Sequence, residues 1–157
     1  MKNVINTLLI SHAGWEAVIL RLPIGLILAA HGSQKLLGWF GGQGLDGAAQ
    51  LMASLGLHPG FLMALAAGSA EFFGGVALMV GLFTRFAAAI VSVTLAVALF
   101  WVHWSKGFFL TTHGVEYALA LLSATAALMI MGGGRFSVDR YLLESHLFDP
   151  NDNSSST

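Results

Sequence analysis

A few polar side chains interrupt the long apolar runs of this sequence, and their types and spacing could do chemistry. His31, Gln34 and Lys35 follow the apolar run LPIGLILAA. Their spacing of i, i+3 and i+4 places them on one face of a helix. Glu71 stands near the middle of a second apolar run. Imidazole, ammonium and carboxylate groups can hydrogen-bond a ligand and transfer protons, so this pattern predicts a polar site among apolar helices.

Two further apolar runs carry polar residues at a similar depth. His103 stands at the end of the third run, and Glu116 and Tyr117 share a face at the start of the fourth. Isolated ionisable groups are costly in lipid, so they tend to pair inside a bundle. We therefore expect one polar cavity in which carboxylates face basic side chains. Its lining would comprise Glu71, Glu116, His31, His103 and Lys35.

The composition places these runs in a membrane. The chain has 157 residues, of which 56% are hydrophobic and 10% charged, and its mean hydropathy is +0.76. A soluble domain carries about 25% charged residues, so the charges here are too few to cover a water-exposed surface. The formal net charge is -1 and there is no basic patch, which argues against nucleic acid as a partner. The lipid bilayer is the expected partner.

Cysteine is absent from the sequence. Its absence excludes a disulfide framework, thiol redox catalysis, an Fe–S cluster and a thiolate zinc site. Any redox role must therefore use a bound cofactor or another subunit. His31 and His103 could ligate a haem between two helices, but two histidines are a weak signal. We expect neither a metal site nor a covalently bound cofactor.

Four apolar segments are close to the roughly 20 residues that a transmembrane helix needs. The sequence therefore predicts an all-α integral membrane protein, a four-transmembrane-helix bundle with short interfacial helices. The spans are expected at about residues 15–37, 61–82, 86–104 and 114–131. They form a membrane domain at 15–131, after an interfacial or cytoplasmic segment at 1–14 and before a cytoplasmic tail at 132–157.

Two short helices are expected outside the spans. Residues 46–55 have an apolar side and should lie at the membrane interface. Ser137 can cap a helix at 138–147, and the end of the tail should be disordered.

Lysine and arginine are distributed unequally between the two sides of this bundle. One side would carry Lys2, Arg21, Arg85, Arg135 and Arg140, and the other Lys35 and Lys106. Basic residues favour the cytoplasmic side, so we expect a multi-pass protein of the bacterial inner membrane with both termini in the cytoplasm. The loops at 38–59 and 105–113 would then face the exterior. Arg21 and Lys35 lie near opposite ends of the first span, where each can snorkel to its own surface.

Each polar residue also has a purely structural interpretation. Glu71 with a basic partner could be a buried pair that only fixes helix register. The position of Lys35 near a helix end fits a snorkelling residue better than a catalytic base. Tyr117 lies at the depth of the aromatic belts that membrane proteins place near their surfaces.

Five stretches of the chain resemble the DoxX family of small bacterial membrane proteins. They are RLPIGLILAAHGSQKLLGWFGGQG (21–44), AGSAEFFGGVALMVGLFTRFAA (67–88), VHWSKGFF (102–109), GVEYALALL (114–122) and GGGRFSVDR (132–140). The resemblance implies a four-helix membrane bundle. Some relatives are subunits of a thiosulfate:quinone oxidoreductase, and others are described as parts of membrane-associated oxidoreductase complexes.

The resemblance and the polar residues together favour a quinone-linked oxidoreductase component that works with a redox partner protein or as a homo-oligomer. A quinone head group needs hydrogen-bond donors to its carbonyl oxygens and a proton route for its reduction. We expect catalytic roles for Glu71, His31 and Glu116, with Glu71 as the proton relay. The quinone would be bound by His31, Gln34, Lys35, Trp39, Glu71, His103 and Tyr117.

Two other functions stay open at this point. A non-catalytic membrane anchor or assembly subunit of a redox complex would use the polar residues to hold helices together. A permease for a small solute or a proton would use them as a relay. Four helices leave little room for a pathway, however, and the sequence shows no obvious inverted repeat.

Overall fold

The structure is a computed structural model that describes residue 11 and residues 13–147 of the chain. All regular structure in these residues is helical, which confirms the predicted all-α class. The α-helices in this part of the chain are α1 (Trp15–Leu37), α2 (Gly44–Ser54), α3 (Gly60–Val80), α4 (Thr84–Val97), α5 (Glu116–Met131) and α6 (Val138–Leu147). The disordered end expected after α6, and most of the segment expected at 1–14, lie outside the described residues.

Three helices within the described residues are long and apolar enough to cross a membrane. They are α1, α3 and α4, because π-helical turns at Ala98–His103 and a short 3-10 turn at Trp104–Lys106 extend α4 into a 23-residue helix, Thr84–Lys106. The apolar helix α5 has 16 residues, which is about 24 Å at 1.5 Å per residue. The hydrocarbon core of a bilayer is about 30 Å thick. The structure therefore shows three helices of spanning length and a shorter fourth apolar helix.

One hydrophobic core joins these four helices. Leu28 of α1, Leu78 of α3, Val91 of α4 and Leu128 of α5 belong to it, and each is at most 1% exposed. The faces turned away from this core are also apolar, and large side chains such as Ile19, Val93 and Ile130 are more than half exposed there. Apolar surface on both sides of a helix is typical of a bundle surrounded by lipid.

The short helix α2 lies across the beginning of α3. Its buried residues Ala48 and Met52 pack against Ala64 of α3 in a second, smaller cluster. We call this end of the bundle the Lys106 end. The opposite end, where α3 turns into α4 and α5 leads to α6, is called the Arg21 end.

Candidate functional site

Glycine lets α1 and α3 approach each other closely. A Cβ atom at Gly25 would lie 2.6 Å from the carbonyl oxygen of Gly75, and one at Gly75 would lie 2.5 Å from the backbone nitrogen of Ala29. Real Cβ atoms do not make contacts this short, so a larger residue would push the helices apart. The close crossing brings polar side chains on facing positions of the two helices within hydrogen-bonding reach.

An ion pair spans this crossing. The Lys35 ammonium donates a hydrogen bond to the Glu71 carboxylate. Glu71 is 5% exposed, whereas the side chain of Lys35 is 27% exposed. A carboxylate buried without a partner would destabilise the fold strongly, and Lys35 supplies that partner. Lys35 therefore turns toward α3, and does not simply extend to the membrane surface.

His31 connects this ion pair to a third helix. Its half-buried imidazole lies one helical turn before Lys35, on the same face of α1. Its ring also faces Tyr117 of α5, with ring centroids 6.0 Å apart and planes inclined by 56°. We call His31, Lys35, Glu71 and Tyr117 the polar site.

The polar site combines a cation, an anion, an imidazole and a phenol between α1, α3 and α5. The Lys35 ammonium has three N–H donors, of which Glu71 uses one. The imidazole of His31 and the hydroxyl of Tyr117 can each donate or accept. This arrangement can hydrogen-bond an oxygen-bearing ligand and exchange protons with it. Across the described residues, no group of three or more His, Asp and Glu side chains is placed to hold a metal ion.

Gln34 and Trp39 have contacts in the loop that follows α1. Gln34 Nε2 donates to the carbonyl oxygen of Phe40 at 3.3 Å, which holds the turn Trp39–Gly41 over the end of the helix. Trp39 is 56% exposed and meets Phe40 edge-on, with ring centroids 6.4 Å apart. Gln34 therefore shares a helix face with His31, but its amide binds the loop. The ring of Trp39 contacts Phe40 of the same loop.

His103 and Glu116 form contacts at the loop between α4 and α5. His103 Nδ1 lies 2.6 Å from the carbonyl oxygen of His113, and the Glu116 carboxylate accepts the backbone N–H of Leu110. The residues expected to line one cavity therefore fall into two groups, the polar site and this loop. Position along a helix sets the depth of a side chain, but the rotation of the helix decides which neighbour it meets.

A second polar network, which was not predicted from the sequence, lies at the Arg21 end. Arg21, expected to snorkel, is 3% exposed. Its guanidinium donates to the carbonyl oxygen of Met79 at the end of α3, at 2.9 Å, and to that of Phe136 before α6. Arg21 therefore ties three segments together and does not reach a lipid surface.

Asp139 of α6 completes this network. Its carboxylate is buried and accepts the backbone N–H groups of Phe83 and Thr84, the latter at 2.9 Å, at the beginning of α4. Ser137 caps α6 as predicted, with its hydroxyl oxygen accepting the N–H of Arg140 at 3.2 Å. The only sequence signal for the network is the stretch GGGRFSVDR, in which polar residues follow a glycine turn.

Apolar helices of spanning length around a polar site with a buried carboxylate define a helical membrane protein. Comparison with known families makes the assignment specific, because the DoxX family model matches residues 17–104. The chain belongs to the DoxX family, which confirms the resemblance noted in the sequence. The matched region contains His31, Lys35 and Glu71, whereas Tyr117 lies beyond it.

Two relatives show how far this similarity extends. The chain is 34% identical over 119 residues to the "Putative oxidoreductase CatD" of Bacillus subtilis (strain 168), covering 76% of this chain and 80% of that protein. It is 33% identical over 127 residues to an uncharacterized protein of Haemophilus influenzae (strain Rd), covering 76% of this chain and 85% of that protein. No solved structure gives a significant match.

Proposed function

We propose that this DoxX protein is a component of a quinone-linked oxidoreductase and that the polar site binds the quinone head group. The observation that carries the proposal is the Lys35–Glu71 pair, with its buried carboxylate, and His31 one helical turn away with its ring facing Tyr117. Ionisable groups inside a membrane bundle are costly and often mark ligand or proton sites. The name of the Bacillus subtilis relative supports a redox role.

The four side chains have complementary roles in this proposal. Reduction of a quinone adds two electrons and two protons to its two oxygens. Lys35 would hydrogen-bond one oxygen and stabilise the negative charge that develops there during reduction. His31 and Tyr117 would donate to the quinone and pass protons to it, and Glu71 would hold Lys35 in place and relay protons. The electrons would come from a reduced partner protein or a small reductant, since the chain has no cysteine of its own.

We further propose that α5 is the fourth span of the bundle, because it shares the core of α1, α3 and α4. The distribution of charge supports an inner-membrane protein with cytoplasmic termini. By their places in the sequence, five basic residues lie on the side of the Arg21 end and two on the other, namely Lys2, Arg21, Arg85, Arg135 and Arg140 against Lys35 and Lys106. This bias favours the Arg21 end as the cytoplasmic side.

The test is to measure quinone bound to the purified protein. Wild type, Lys35→Met and Glu71→Gln would be purified in mild detergent, extracted with organic solvent and assayed for quinone per chain. Glu144→Gln is the matched control, because Glu144 is an exposed carboxylate on α6. We expect wild type and Glu144→Gln to carry about one quinone per chain and the two site variants to lose most of it. Equal quinone in all four proteins, or none in wild type even after short-tail quinone is added, would overturn the proposal.

One observation favours a second candidate, a non-catalytic anchor or assembly subunit. The ion pair lies at the close glycine crossing of α1 and α3. An ion pair at such a crossing can hold two helices in register without any catalytic role. In that case Lys35→Met would lower the melting temperature in detergent, and the double variant Lys35→Met/Glu71→Leu would recover both stability and the activity of the complex. If the double variant is stable but the complex is inactive, the anchor interpretation fails.

A further inference from the structure

The loop at residues 107–115, between α4 and α5, is closed by its own hydrogen bonds. The N–H of Val115 donates to the carbonyl oxygen of Gly107 at 3.0 Å, and the N–H of Glu116 donates to that of Phe108 at 2.9 Å. The Glu116 carboxylate accepts the N–H of Leu110. Much of the backbone hydrogen bonding of this loop is therefore satisfied without water.

Side chains also hydrogen-bond the backbone of the loop. The hydroxyl of Thr112 lies 2.8 Å from the carbonyl oxygen of Lys106 and 2.9 Å from that of Phe109. His103, in the last turns of the long α4 helix, contacts the carbonyl oxygen of His113. These contacts fasten the loop to the last turn of the helix that precedes it.

Three consecutive large apolar side chains point away from this closed backbone. Phe108 is 54% exposed, Phe109 64% and Leu110 52%. Contiguous apolar residues on a surface mark contact with another apolar phase. The neighbouring turns of the helix continue this surface, since Trp101 and Trp104 are 55% and 64% exposed.

The lengths of the two helices set the depth of the loop. The helix Thr84–Lys106 has 23 residues and α5 has 16, a difference that corresponds to about 10 Å of helix rise. At the Arg21 end the two helices are level, because a Cβ atom at Gly133, just after α5, would lie 2.7 Å from Thr84 Oγ1. The first residue of α5 therefore lies roughly 10 Å below the last residue of the α4 helix. The loop must descend by that distance along the bundle.

We infer that residues 107–115 lie in the bilayer leaflet at the Lys106 end, with Phe108, Phe109 and Leu110 in contact with acyl chains. Irregular backbone that faces lipid does not occur in the hydrocarbon core, because unsatisfied polar groups are costly there. The internal hydrogen bonds of this loop reduce that cost, so the loop would lie at the boundary between the headgroups and the acyl chains. Exposed tryptophans at the same end fit the aromatic belt near a membrane surface. The loop would thereby complete the fourth span, which α5 is too short to make alone, and it would not face the exterior as the sequence suggested. This inference rests on the four-span arrangement proposed above and is independent of quinone binding.

The absence of cysteine allows a direct test with single-cysteine variants of the full chain. Phe109→Cys would carry a nitroxide label in liposomes, and its collision rates with oxygen and with a water-soluble nickel chelate would be measured. Val93→Cys is the lipid-facing reference and Gln50→Cys, on the exposed side of α2, is the water-facing reference. Ile130→Cys reports whether α5 itself faces lipid.

We expect Phe109→Cys to resemble Val93→Cys, with oxygen collisions several-fold above nickel collisions. Nickel accessibility like that of Gln50→Cys would place the loop in water and overturn the inference. Low accessibility to both reagents would mean that protein, such as a second copy of the chain, covers the loop, which also overturns it. If Ile130→Cys fails to show the lipid pattern, the four-span proposal is wrong. If only Phe109→Cys fails, the loop inference alone is wrong. Leu110→Cys repeats the measurement should the first variant not fold.

Discussion

Replacing Gly75 by alanine should separate α1 from α3. The new Cβ would lie 2.5 Å from the backbone nitrogen of Ala29 and 2.6 Å from the carbonyl oxygen of Gly25, and neither backbone atom can rotate away. An ordinary contact begins near 3.4 Å, so the helices must move apart by about 0.8–0.9 Å to relieve both contacts. A gap of that size forfeits a quarter to a half of the dispersion energy of the contacts it opens.

The size of the effect follows from two opposing contributions. Overpacking a tight contact typically destabilises a protein by about 1–3 kcal/mol, and the upper half of that range applies here because both contacting atoms belong to backbone. Alanine is favoured over glycine in a helix by about 1 kcal/mol, which offsets part of the loss. We therefore expect Gly75→Ala to lower the free energy of unfolding by about 1–2 kcal/mol. The assay is the thermal melting temperature of the purified protein in detergent. A drop of roughly 3–6 °C is expected if soluble-protein scaling holds.

The neighbouring glycine provides a matched control. A Cβ at Gly74 would lie 2.5 Å from Val91 Cγ2, a side-chain atom of α4, and its next neighbour would be 3.8 Å away. One side chain can shift more easily than two backbone segments, so the gain in helix propensity should offset most of the strain in Gly74→Ala. Equal melting temperatures for the two variants, or a Gly75→Ala protein more stable than wild type, would refute the close crossing.

Three further contacts are tested by substitution, with the melting temperature in detergent as the measurement. Asp139→Ala removes the carboxylate that caps α4 and should lower the free energy of unfolding by about 1–2 kcal/mol; an unchanged melting temperature would contradict this role. Lys35→Met leaves the Glu71 carboxylate buried without its partner and should destabilise by about 3 kcal/mol. Adding Glu71→Leu should recover most of that loss, and no recovery would contradict the ion pair. Thr125→Val removes a 2.8 Å hydrogen bond to a serine of α4 and should lower the free energy of unfolding by only about 0.5–1 kcal/mol. A decrease above about 2 kcal/mol would contradict the small contribution expected of this hydrogen bond.

The positions of the helices are readable from the sequence, because apolar runs end at residues that favour helix termination. Gly38 after α1 and Gly81 after α3 adopt left-handed backbone angles, with φ of 71° and 72°, which glycine adopts at little cost. The observed α1 and α6 coincide with the helices expected at 15–37 and 138–147. The start of α5 falls two residues later than expected, since the residues before it belong to the closed loop.

The partners of the polar side chains are much harder to predict. The sequence places Glu71 at a depth where it can pair with Lys35. It places Glu116 at a compatible depth as well, but the Glu116 carboxylate instead binds the backbone of its own loop. Which of these pairs forms depends on helix rotation and on the glycine crossing, and both are properties of the packed bundle. The partners of Arg21 lie on α3 and before α6, at sequence separations that no local pattern encodes.

The central claim is that a quinone head group contacts the polar site. The most direct measurement is photocrosslinking of the reconstituted protein with a quinone that carries a photoreactive group on its ring, followed by mass-spectrometric mapping of the modified residues. Crosslinks are expected on α1, α3 and α5 next to His31, Lys35 and Tyr117, and unlabelled quinone should remove them. Crosslinks spread over the lipid-facing side chains and insensitive to unlabelled quinone would contradict the claim.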